Sequence, residues 1–571
     1  MRNNNKARYS LIGFKGGEDR ENNVICFLHE HAQSFPERIA LQWVSRGELN
    51  NWDGTKELRH ENISYKDFVH KISIIAAGLK KIGITKGDRV IIFIPLSLEL
   101  YLGMFAVQQI GAIAVFLDSW ARKDHLGVCA QVVGPKAMIS FEKAFELCAA
   151  VPELANIQIK VVVGPHEKNY ASDLESLLKS LDLADIEPVE SNDTALITFT
   201  TGSSGVPKGA DRTHRFLAAQ HRALDKEIPY NEDDRDLPVF PIFSLNNLAG
   251  GVTTVLPAID LAAPSDKDAA IIINQIFSCK VTCCTVSPSI FVNIAEYCGK
   301  NNITLNGLRR VVTGGAPVSK DNVKNFKAIA PAAEILVLYG STEVEPIAHI
   351  EADEMLRDDS KREGVNVGRI SEDLEYKFIK IWRKNVELGK KGWQDWEAEA
   401  GKAGELVVSG SHVCENYYNN PEAFKATKIK EANDKIWHRT GDVGVLDGQG
   451  RLWLVGRVHN TIVRANEYLF PVHAEILLKR LNFVRQAAFL GIEDIRLGEK
   501  TCAAFSLKEG FDPENVEQYT AAIKSLFGEN NIPVDEVRLV KEIPMDPRHH
   551  SKVEYSKLRE MLIPSAEIPG L

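Results

Sequence analysis

The sequence lacks the features that mark several common protein classes. Its N-terminus is polar and has no apolar core of the kind found in signal peptides, so we expect a cytoplasmic protein. Only 9 of the 571 residues are cysteine, an odd number without paired spacing, which argues against a disulfide framework. Cys279, Cys283 and Cys284 lie among apolar residues and are predicted to be small core residues.

The chain also has no excess of positive charge and no long uninterrupted apolar run. Lys plus Arg number 68 and Asp plus Glu number 77, which gives a net charge of −9. A mildly acidic chain has no overall field that attracts nucleic acid, so we expect no nucleic-acid partner. The most apolar stretch, residues 98–117, contains Gln108 and Gln109, and we expect a buried helix there and no integral membrane segment.

Two familiar phosphate-binding patterns are missing as well. We find neither the Walker pattern G-x-x-x-x-G-K-[ST] nor the dinucleotide pattern G-x-G-x-x-G. The first absence disfavours a P-loop kinase or ATPase, which would release ADP.

A different polar loop is present instead. Residues 195–199 are apolar and β-branched, which predicts a buried strand, and they lead into Thr200-Thr201-Gly202-Ser203-Ser204-Gly205-Val206-Pro207-Lys208-Gly209. The glycines expose backbone N–H groups, the hydroxyls can donate to phosphate oxygens, and Lys208 adds positive charge. This chemistry suits polyphosphate binding, although ordinary surface loops share the composition.

The order of apolar runs predicts an α/β fold. Short strand-like runs alternate with helical stretches up to about residue 400, which predicts a large domain of layered, largely parallel sheets and helices. Hairpin patterns follow and predict a β-rich subdomain, and the chain after residue 457 reads as a small α+β domain. Residues 385–402 are charged, contain tryptophan and are predicted to form an exposed insertion.

Two further loops follow aliphatic runs in the same way. They are Thr313-Gly314-Gly315-Ala316-Pro317 and Tyr339-Gly340-Ser341-Thr342-Glu343. Because ligands of parallel sheets bind at the carboxyl ends of strands, these loops are candidates for the same site as the phosphate-binding loop.

Together these loops resemble the acyl-adenylate-forming superfamily, which includes acyl-CoA synthetases, peptide-synthetase adenylation domains and luciferases. The resemblance spans roughly residues 30–560 and rests on several further motifs, namely GELVVSG, NYYNNPEAF, TGDVG, GRVHN and PRHHSKVEYSKLR. It implies an enzyme that uses ATP and Mg²⁺ to join a carboxylate to AMP, with release of pyrophosphate.

The resemblance implies roles for the loops of the large domain. Lys208 and the nearby hydroxyls would hold the β- and γ-phosphates, Thr342 would donate to the α-phosphate, and Glu343 would hold Mg²⁺. Tyr339 would stack on adenine. The remaining nucleotide-binding candidates are Thr200, Thr201, Gly202, Ser203, Ser204, Gly205, Gly314, Gly315, Ala316, Pro317, Gly340 and Ser341.

Three candidates lie later in the chain. By resemblance, Asp442 would accept both ribose hydroxyls and Arg457 would also contact the ribose. Lys552 would act as a catalytic cation on the carboxylate and α-phosphate, together with Thr342 and Glu343. The resemblance also makes the C-terminal domain mobile, with boundaries at 1–456, a hinge at 457–461, and 462–571.

The acceptor of the acyl group is left open between two alternatives. The main interpretation is a fatty-acid-CoA ligase that transfers the acyl group to CoA. Asn466 stands where acyl-CoA synthetases usually have glycine, and its side chain would narrow the pantetheine path. Residues 236–245, residues 212–216, His459 and residues 548–552 are instead similar to OleC-type β-lactone synthetases, in which an internal β-hydroxyl is the acceptor.

A third interpretation is a nucleotide-binding protein without catalysis, against which the intact Glu343, Asp442 and Lys552 argue. The acyl group is expected in an apolar cleft lined by residues 241–248 and 314–317, with Phe243 as a wall. The partners implied are small molecules only, and the oligomeric state is open.

Overall fold

The computed structural model describes residues 23–117, 123–201, 206–261, 263–358, 362–545 and 553–562. The chain divides into two compact units. Unit 1 takes its described residues from Met1–Leu356, Ser371–Leu374 and Ser409–Lys428, and unit 2 takes its residues from Arg357–Ile370, Glu375–Val408 and Ile429–Leu571. Both units combine helices with sheets, which confirms the predicted α/β class.

The strands of the described chain are short, as expected for runs bounded by glycine, proline and polar residues. In chain order they are β1 (Ile39–Trp43), β2 (Glu61–Ser64), β3 (Arg89–Phe93), β4 (Ile113–Phe116), β5 (Ala137–Ser140), β6 (Ile159–Val162), β7 (Ser172–Asp173), β8 (Thr194–Thr201), β9 (Pro207–Thr213), β10 (Arg235–Pro238), β11 (Thr253–Val255), β12 (Cys283–Val286), β13 (Arg310–Gly314), β14 (Glu334–Ser341), β15 (Val344–Glu351), β16 (Val365–Asn366), β17 (Arg369–Ile370), β18 (Glu375–Ile379), β19 (Gly404–Ser409), β20 (Lys428–Lys430), β21 (Ile436–Leu446), β22 (Leu452–Arg457), β23 (Ile462–Arg464), β24 (Glu467–Leu469), β25 (Val484–Asp494), β26 (Gly498–Leu507) and β27 (Glu536–Leu539).

Many of the helices begin at a side-chain cap, such as Ser64, Thr213 or Ser319, whose oxygen accepts a backbone N–H of the first turn. The helices are α1 (Cys26–Ser34), α2 (Arg46–Asn50), α3 (Tyr65–Lys81), α4 (Leu98–Gln109), α5 (Lys123–Val133), α6 (Glu142–Cys148), α7 (Pro152–Ala155), α8 (Leu174–Leu177), α9 (His214–Glu227), α10 (Pro241–Ala249), α11 (Asp268–Ser278), α12 (Pro288–Asn301), α13 (Lys320–Ile329), α14 (Ala352–Arg357), α15 (Pro421–Thr427), α16 (Pro471–Lys479), α17 (Val516–Glu529) and α18 (Tyr555–Leu562).

One sheet of unit 1 has the strand order β7-β6-β5-β3-β4-β8-β9. Its neighbours pair in parallel except β8 and β9, which are antiparallel. Val90 and Ile92 pack in one core cluster with residues of α3 and α4, whereas Ile91 and Phe93 pack in another with residues of α5 and α6. Helices thus cover both faces, which is why the strands read as continuous apolar runs.

The other sheet of unit 1 contains the strand order β15-β14-β13-β12-β10-β11-β1-β2. Strands β10 to β14 pair in parallel, and β15 returns antiparallel to β14. The predicted core cysteines Cys279, Cys283 and Cys284 are buried here. Because β13 and β14 are parallel neighbours, the loops that leave their carboxyl ends lie at one edge of the sheet.

Unit 2 contains two sheets. The first has the order β16-β22-β21-β19-β18, and its β21–β22 hairpin closes through the predicted turn, where the Gly450 N–H donates to the Asp447 oxygen at 3.0 Å. The second has the order β24-β23-β26-β25, with β27 beside β26. The second sheet packs on α16 and α17 through a core that includes Leu478, Phe489 and Phe527. The hairpins and the small α+β part were both predicted.

Residues 98–117 form a helix and a strand rather than one helix. Helix α4 and strand β4 are separated at Gly111, which adopts a φ of +68° and ends the helical path. Both elements are buried, so the predicted burial is confirmed although the single helix is wrong. Across the described parts of the chain, no helix is both long enough and apolar enough to cross a membrane.

Residues 385–402 are more than an exposed insertion. Val386 is only 3 % exposed and packs with Trp393, Trp396 and Trp437 in a cluster of unit 2. The Trp393 indole N–H also donates to the Glu431 carboxylate at 2.6 Å. The tryptophans anchor the segment because each can bury its ring and still satisfy its N–H group.

Candidate active site

The described ends of the predicted phosphate-binding loop, residues 200–201 and 206–209, belong to or adjoin two paired strands. Strand β8 pairs in parallel with β4, so the loop leaves the carboxyl end of a buried strand, and β9 then returns antiparallel. The pairing reaches Thr200 with Lys208 and Thr201 with Pro207, which places Lys208 directly opposite Thr200. Outside the described residues lie Gly202, Ser203, Ser204, Gly205 and the side chain of Thr201.

Thr342 and Glu343 lie at the turn of a second hairpin, formed by β14 and β15. The last pair of this hairpin is Ser341 with Val344, so the two intervening residues form its tip. Arg212 of β9 reaches this turn, and its guanidinium donates to the main-chain oxygen of Thr342 at 2.8 Å. The first hairpin therefore contacts the second one directly.

A third segment, residues 413–418, also bridges the two hairpins within unit 1. The Cys414 N–H donates to the main-chain oxygen of Glu343 at 2.7 Å. Farther along the segment, the Tyr418 N–H donates to the oxygen of Gly209 at 2.8 Å. The segment thus fixes the Glu343 turn relative to the strand that carries Lys208.

The Glu343 carboxylate has a defined hydrogen-bond donor. The Tyr417 hydroxyl donates to Glu343 Oε1 at 2.6 Å, and Tyr417 is 2 % exposed. Burial raises the pKa of Tyr417 well above its usual value, and the neighbouring Glu343 charge raises it further. Tyr417 therefore remains protonated at neutral pH and can act only as a donor to the carboxylate.

Two lysines surround the same tyrosine ring. The Nζ of Lys208 lies 5.9 Å and the Nζ of Lys428 lies 5.3 Å from the Tyr417 ring centroid. Lys428 is buried and donates to the main-chain oxygen of Cys414. Burial lowers the pKa of both lysines, and Glu343 acts against that shift. This cluster of one carboxylate and two lysines suits an anionic ligand that a cation accompanies.

A second carboxyl group lies close to this cluster in sequence, on β15. Burial raises the pKa of Glu345 to about 7, and the charge of Arg212 acts in the opposite direction. Glu345 therefore changes its charge near neutral pH, unlike an ordinary surface glutamate.

The loop after β13 requires its two glycines. A Cβ on Gly314 would lie 2.2 Å from the main-chain oxygen of Leu338, and Gly315 has a φ of +82°. Tyr339 lies beside this loop on β14, where it pairs with Ala348 and is half-buried. The predicted adenine-side residues therefore share one sheet edge, and they include Ala316, Pro317 and Gly340.

Helix α10 carries the residues expected to line the acyl cleft. Phe243 packs in a core cluster with Val312 and Leu338, and its role as a wall of the acyl cleft stays a prediction. Ile242 and Leu245 face a separate pocket between helices of unit 1. The apolar residues of α10 thus lie on more than one face of the helix, and the faces contact different surroundings: a core cluster in one case and a pocket in the other.

In unit 2, Asp442 and Arg457 lie opposite each other on β21 and β22. Arg457 Nε lies 2.8 Å from Asp442 Oδ1, with side-chain exposures of 47 % and 19 %. Arg457 Nη2 also donates to the main-chain oxygen of Thr440 at 3.1 Å. The two predicted ribose-binding residues therefore form a half-exposed ion pair.

The predicted hinge, residues 457–461, contains a short 3₁₀ turn at Val458–Asn460. The Thr461 N–H donates to the Arg457 oxygen at 2.9 Å. Burial, followed by the charge of Arg457, lowers the pKa of His459 to about 4, so this histidine is neutral at pH 7. The hinge and the boundaries 1–456 and 462–571 stay predictions.

Asn466 lies at the tip of the β23–β24 hairpin. Ala465 and Asn466 have φ values of 51° and 66°, as a two-residue type I′ turn requires. Asn466 thus has a left-handed backbone, and both residues are exposed.

Among the candidates of unit 1, the structure brings Lys208, Thr342 and Glu343 together. Lys552 lies outside the described residues. Sequence reasoning missed Tyr417 and Lys428. Tyr417 could have been predicted from the sequence, because it lies in the NYYNNPEAF motif. Nothing in the sequence, however, distinguishes the buried Lys428 from the exposed lysines around it.

A model of the AMP-binding enzyme family matches residues 28–418. Olefin beta-lactone synthetase of Stenotrophomonas maltophilia is 29% identical, over 83% of this chain and 86% of its own length. The protein of the same name from Xanthomonas campestris is 28% identical, over 94% and 96%. The mitochondrial medium-chain acyl-CoA ligase ACSF2 of mouse is 25% identical, over 94% and 86%.

Solved structures share the fold. The amide bond synthetase McbA of Marinactinospora thermotolerans has a TM-score of 0.75 at 21% identity, over 95% of this chain and 100% of that one. The o-succinylbenzoate CoA synthetase MenE of Bacillus subtilis, in complex with ATP and a magnesium ion, has a TM-score of 0.73 at 20% identity, over 93% and 99%.

Proposed function

The chain belongs to the AMP-binding enzyme family, and we propose that it activates a long-chain β-hydroxy acid as acyl-AMP and then closes a β-lactone. Enzymes of this family form acyl-adenylates in an ATP-dependent ligation. The observation that carries the adenylation half of the proposal is the cluster of Glu343, Tyr417, Lys208 and Lys428 in unit 1.

In the adenylation step, an oxygen of the substrate carboxylate attacks the α-phosphorus of ATP. The bond from that phosphorus to the pyrophosphate oxygen breaks, and pyrophosphate leaves. Because two anions must meet, the site has to supply positive charge and hydrogen-bond donors that are already in place. Lys208 would hold the departing phosphates, and the Thr342 hydroxyl would donate to the α-phosphate.

Glu343 is the residue that would hold Mg²⁺. Its carboxylate is a hard oxygen ligand, and the hydrogen bond from Tyr417 fixes its orientation. When bound, the ion would neutralise charge on the phosphate oxygens. ATP and Mg²⁺ both fit the family, and the structural neighbour MenE contains both.

Three residues of unit 2 have roles that the resemblance of their motifs implies. Asp442 would accept the two ribose hydroxyls while Arg457 holds its carboxylate in place. Lys552 would offset the charge that builds up between carboxylate and α-phosphate. These roles rest on the family resemblance of the motifs.

The second step would use the hydroxyl of the substrate. The β-hydroxyl oxygen attacks the acyl carbon, the bond from that carbon to the AMP oxygen breaks, AMP leaves, and the hydroxyl proton passes to a base. Two relatives named olefin beta-lactone synthetase support this acceptor. Asn466 supports it too, because a side chain at the usual glycine position disfavours pantetheine.

Transfer to CoA is the second candidate for this step. It is favoured by the relatives named medium-chain acyl-CoA ligase, which match nearly the whole chain. It would make the protein a fatty-acid-CoA ligase, with the same adenylation step.

Mass spectrometry of the products distinguishes the two candidates. The protein is incubated with ATP, Mg²⁺ and a β-hydroxy or plain fatty acid, with and without CoA. We expect a β-lactone from the β-hydroxy acid without CoA. A thioester that forms only with CoA would support the ligase instead, and the absence of any acid-dependent AMP would refute both.

A further inference from the structure

Strand β15 leaves its regular pairing with β14 directly after its first residue. Between the pair formed by Ser341 and Val344 and the pair formed by Tyr339 and Ala348, β14 has one residue and β15 has three. Such a bulge takes residues out of the ladder and re-aims their side chains, and bulges are common beside active sites. The first of the three bulged residues carries a carboxyl group and is Glu345.

The side chain of Glu345 lies against the loop that carries predicted nucleotide-binding residues. A Cβ on Gly340, the residue of β14 opposite the bulge, would lie 3.2 Å from both the Cβ and the Cγ of Glu345. One residue separates Gly340 from Thr342, whose hydroxyl is assigned to the α-phosphate. The part of the substrate nearest to Glu345 would thus be its carboxyl end, where the acyl-AMP bond forms.

Arg212 relates the Glu345 carboxylate to the same turn. Arg212 is 3 % exposed, and its guanidinium donates to the main-chain oxygen of Thr342 at 2.8 Å. Burial raises the pKa of Glu345 and the charge of Arg212 lowers it, so the carboxylate lies within the field of this guanidinium. A buried cation that is fixed at the turn therefore offsets the charge of Glu345.

The carboxylate of Glu345 has no hydrogen-bond donor among the described residues. The main-chain oxygen of Glu345 accepts the Gln220 amide at 3.4 Å, but its two carboxylate oxygens accept no donor from that part of the chain. The residue is half-buried, and its carboxylate oxygens keep accessible surface. Glu343 on the same hairpin differs, because it accepts the Tyr417 hydroxyl. A donor supplied by a ligand would therefore be favoured at Glu345.

The chemistry of this position restricts which ligand group it suits. An ionised carboxylate can only accept hydrogen bonds, so the ligand has to supply a donor. Because Arg212 already offsets the negative charge, a neutral donor such as a hydroxyl suits the position better than a second cation. A hydroxyl at C3 of the substrate acid is a neutral donor close to the carboxyl end.

We infer that Glu345 is a specificity-determining residue, whose carboxylate accepts a hydrogen bond from the C3 hydroxyl of the substrate acid. This bond selects 3-hydroxy acids over plain acids and holds the hydroxyl oxygen near the acyl carbon that it attacks. The inference rests on the proposed function, since it assumes that a carboxylic acid is activated at Thr342 and Glu343. It adds which side chain recognises the hydroxyl.

Three variants separate this role from a general effect of charge on the hairpin. Glu345→Met removes both acceptor oxygens at a similar side-chain length. Glu345→Gln keeps one acceptor oxygen in the same shape but removes the charge. Glu351→Met makes the first change at the exposed end of the same strand and is the matched control. The melting temperature of each variant shows whether it is folded.

The test compares acids of equal chain length with no hydroxyl, with a hydroxyl at C3 and with a hydroxyl near the far end of the chain. The readout is the ratio of kcat/KM values for acid-dependent pyrophosphate release. We expect the natural protein to prefer the 3-hydroxy acid by about 10- to 100-fold, because the acceptor is charged. Glu345→Met should reduce this ratio to about one and Glu345→Gln to about 2- to 10-fold, whereas Glu351→Met should keep it.

A binding measurement provides a second readout that does not depend on turnover. Calorimetric titration with acyl sulfamoyl adenosines, with and without a 3-hydroxyl, should show the same preference in the natural protein and its loss in Glu345→Met. Equal activity of the natural protein on all acids, or a preference that persists in Glu345→Met, would overturn the inference alone. If Glu345→Met does not fold, an undiminished preference in Glu345→Gln overturns it. No pyrophosphate release with any acid would instead refute the proposed function.

Discussion

The carboxylates assigned to the nucleotide in the two units are held in different ways. Glu343 in unit 1 accepts a hydrogen bond from the buried Tyr417 and lies near Lys208 and the buried Lys428. Asp442 in unit 2 pairs with Arg457, which is 47 % exposed. Charges fixed in a buried network act more strongly than charges screened by water, so Glu343 should contribute more to the chemistry and Asp442 should contribute mainly to binding.

Removing the charge of Glu343 should have the largest effect. We expect Glu343→Gln to lower kcat for pyrophosphate release by about 100-fold or more, because the change removes the proposed Mg²⁺ ligand from a preorganised site. Steady-state kinetics measure this loss. The matched control is Glu351→Gln at the exposed end of β15, and an equal loss there would contradict the assignment.

Tyr417→Phe tests whether the buried network matters beyond the carboxylate itself. The variant keeps the ring that both lysines approach and removes only the hydroxyl that donates to Glu343. A hydrogen bond to a charged group contributes about 1.5–3 kcal/mol, and we expect a loss in kcat of about 10-fold, which corresponds to the lower end of that range. Tyr418→Phe should change kcat by less than about twofold, and an unchanged rate in Tyr417→Phe would mean that Glu343 needs no such support.

Asp442→Asn should have a smaller effect, and chiefly on nucleotide affinity. We expect KM for ATP to rise by about fivefold and the discrimination between ATP and 2′-deoxy-ATP to disappear, because the carboxylate would accept the ribose hydroxyls. Stability should change by less than about 1 kcal/mol, since Asp442 pairs with a half-exposed arginine. A variant that keeps full discrimination would remove Asp442 from the ribose site.

Substitution of His459, in the predicted hinge, should have the smallest effect at neutral pH. The folded pKa of this histidine, about 4, lies below the ordinary value of 6.5, so the unfolded chain takes up a proton first as the pH falls. The protonation of His459 does not change the free energy of unfolding at pH 7. As the pH falls from about 6.5 to about 4, it lowers that free energy. Urea unfolding should therefore show less acid sensitivity in His459→Gln than in the unaltered protein. Identical pH profiles would contradict the burial of this ring.

The sequence predicted strand β8, which leads into the phosphate-binding loop, but not strand β9, which follows the loop and pairs with β8. Strand β8 is a β-branched run followed by Thr, Gly and Ser, so local pattern was sufficient. Strand β9 contains proline, glycine and charged residues, all poor strand formers, and it is extended because it pairs with β8 and with residues 413–418. Pairing between distant segments has no local signature.

The candidate site was predictable to a similar extent. Short motifs identified Lys208 and Glu343 because each follows a strand in a loop with a recognisable pattern. Lys428 could not be found in this way, since its importance comes from burial beside Tyr417 and not from its neighbours in sequence. The split of residues 98–117 was missed because the positive φ of Gly111 outweighs a continuous apolar pattern.

The central claim is that the buried cluster of unit 1 supports acyl-adenylate formation, and phosphorus NMR of the reaction tests it most directly. With ATP, Mg²⁺ and a β-hydroxy fatty acid, the account predicts AMP and pyrophosphate in equal amounts, formed only when the acid is present and largely lost in Glu343→Gln. Release of ADP and phosphate, or formation of AMP at the same rate without the acid, would contradict it.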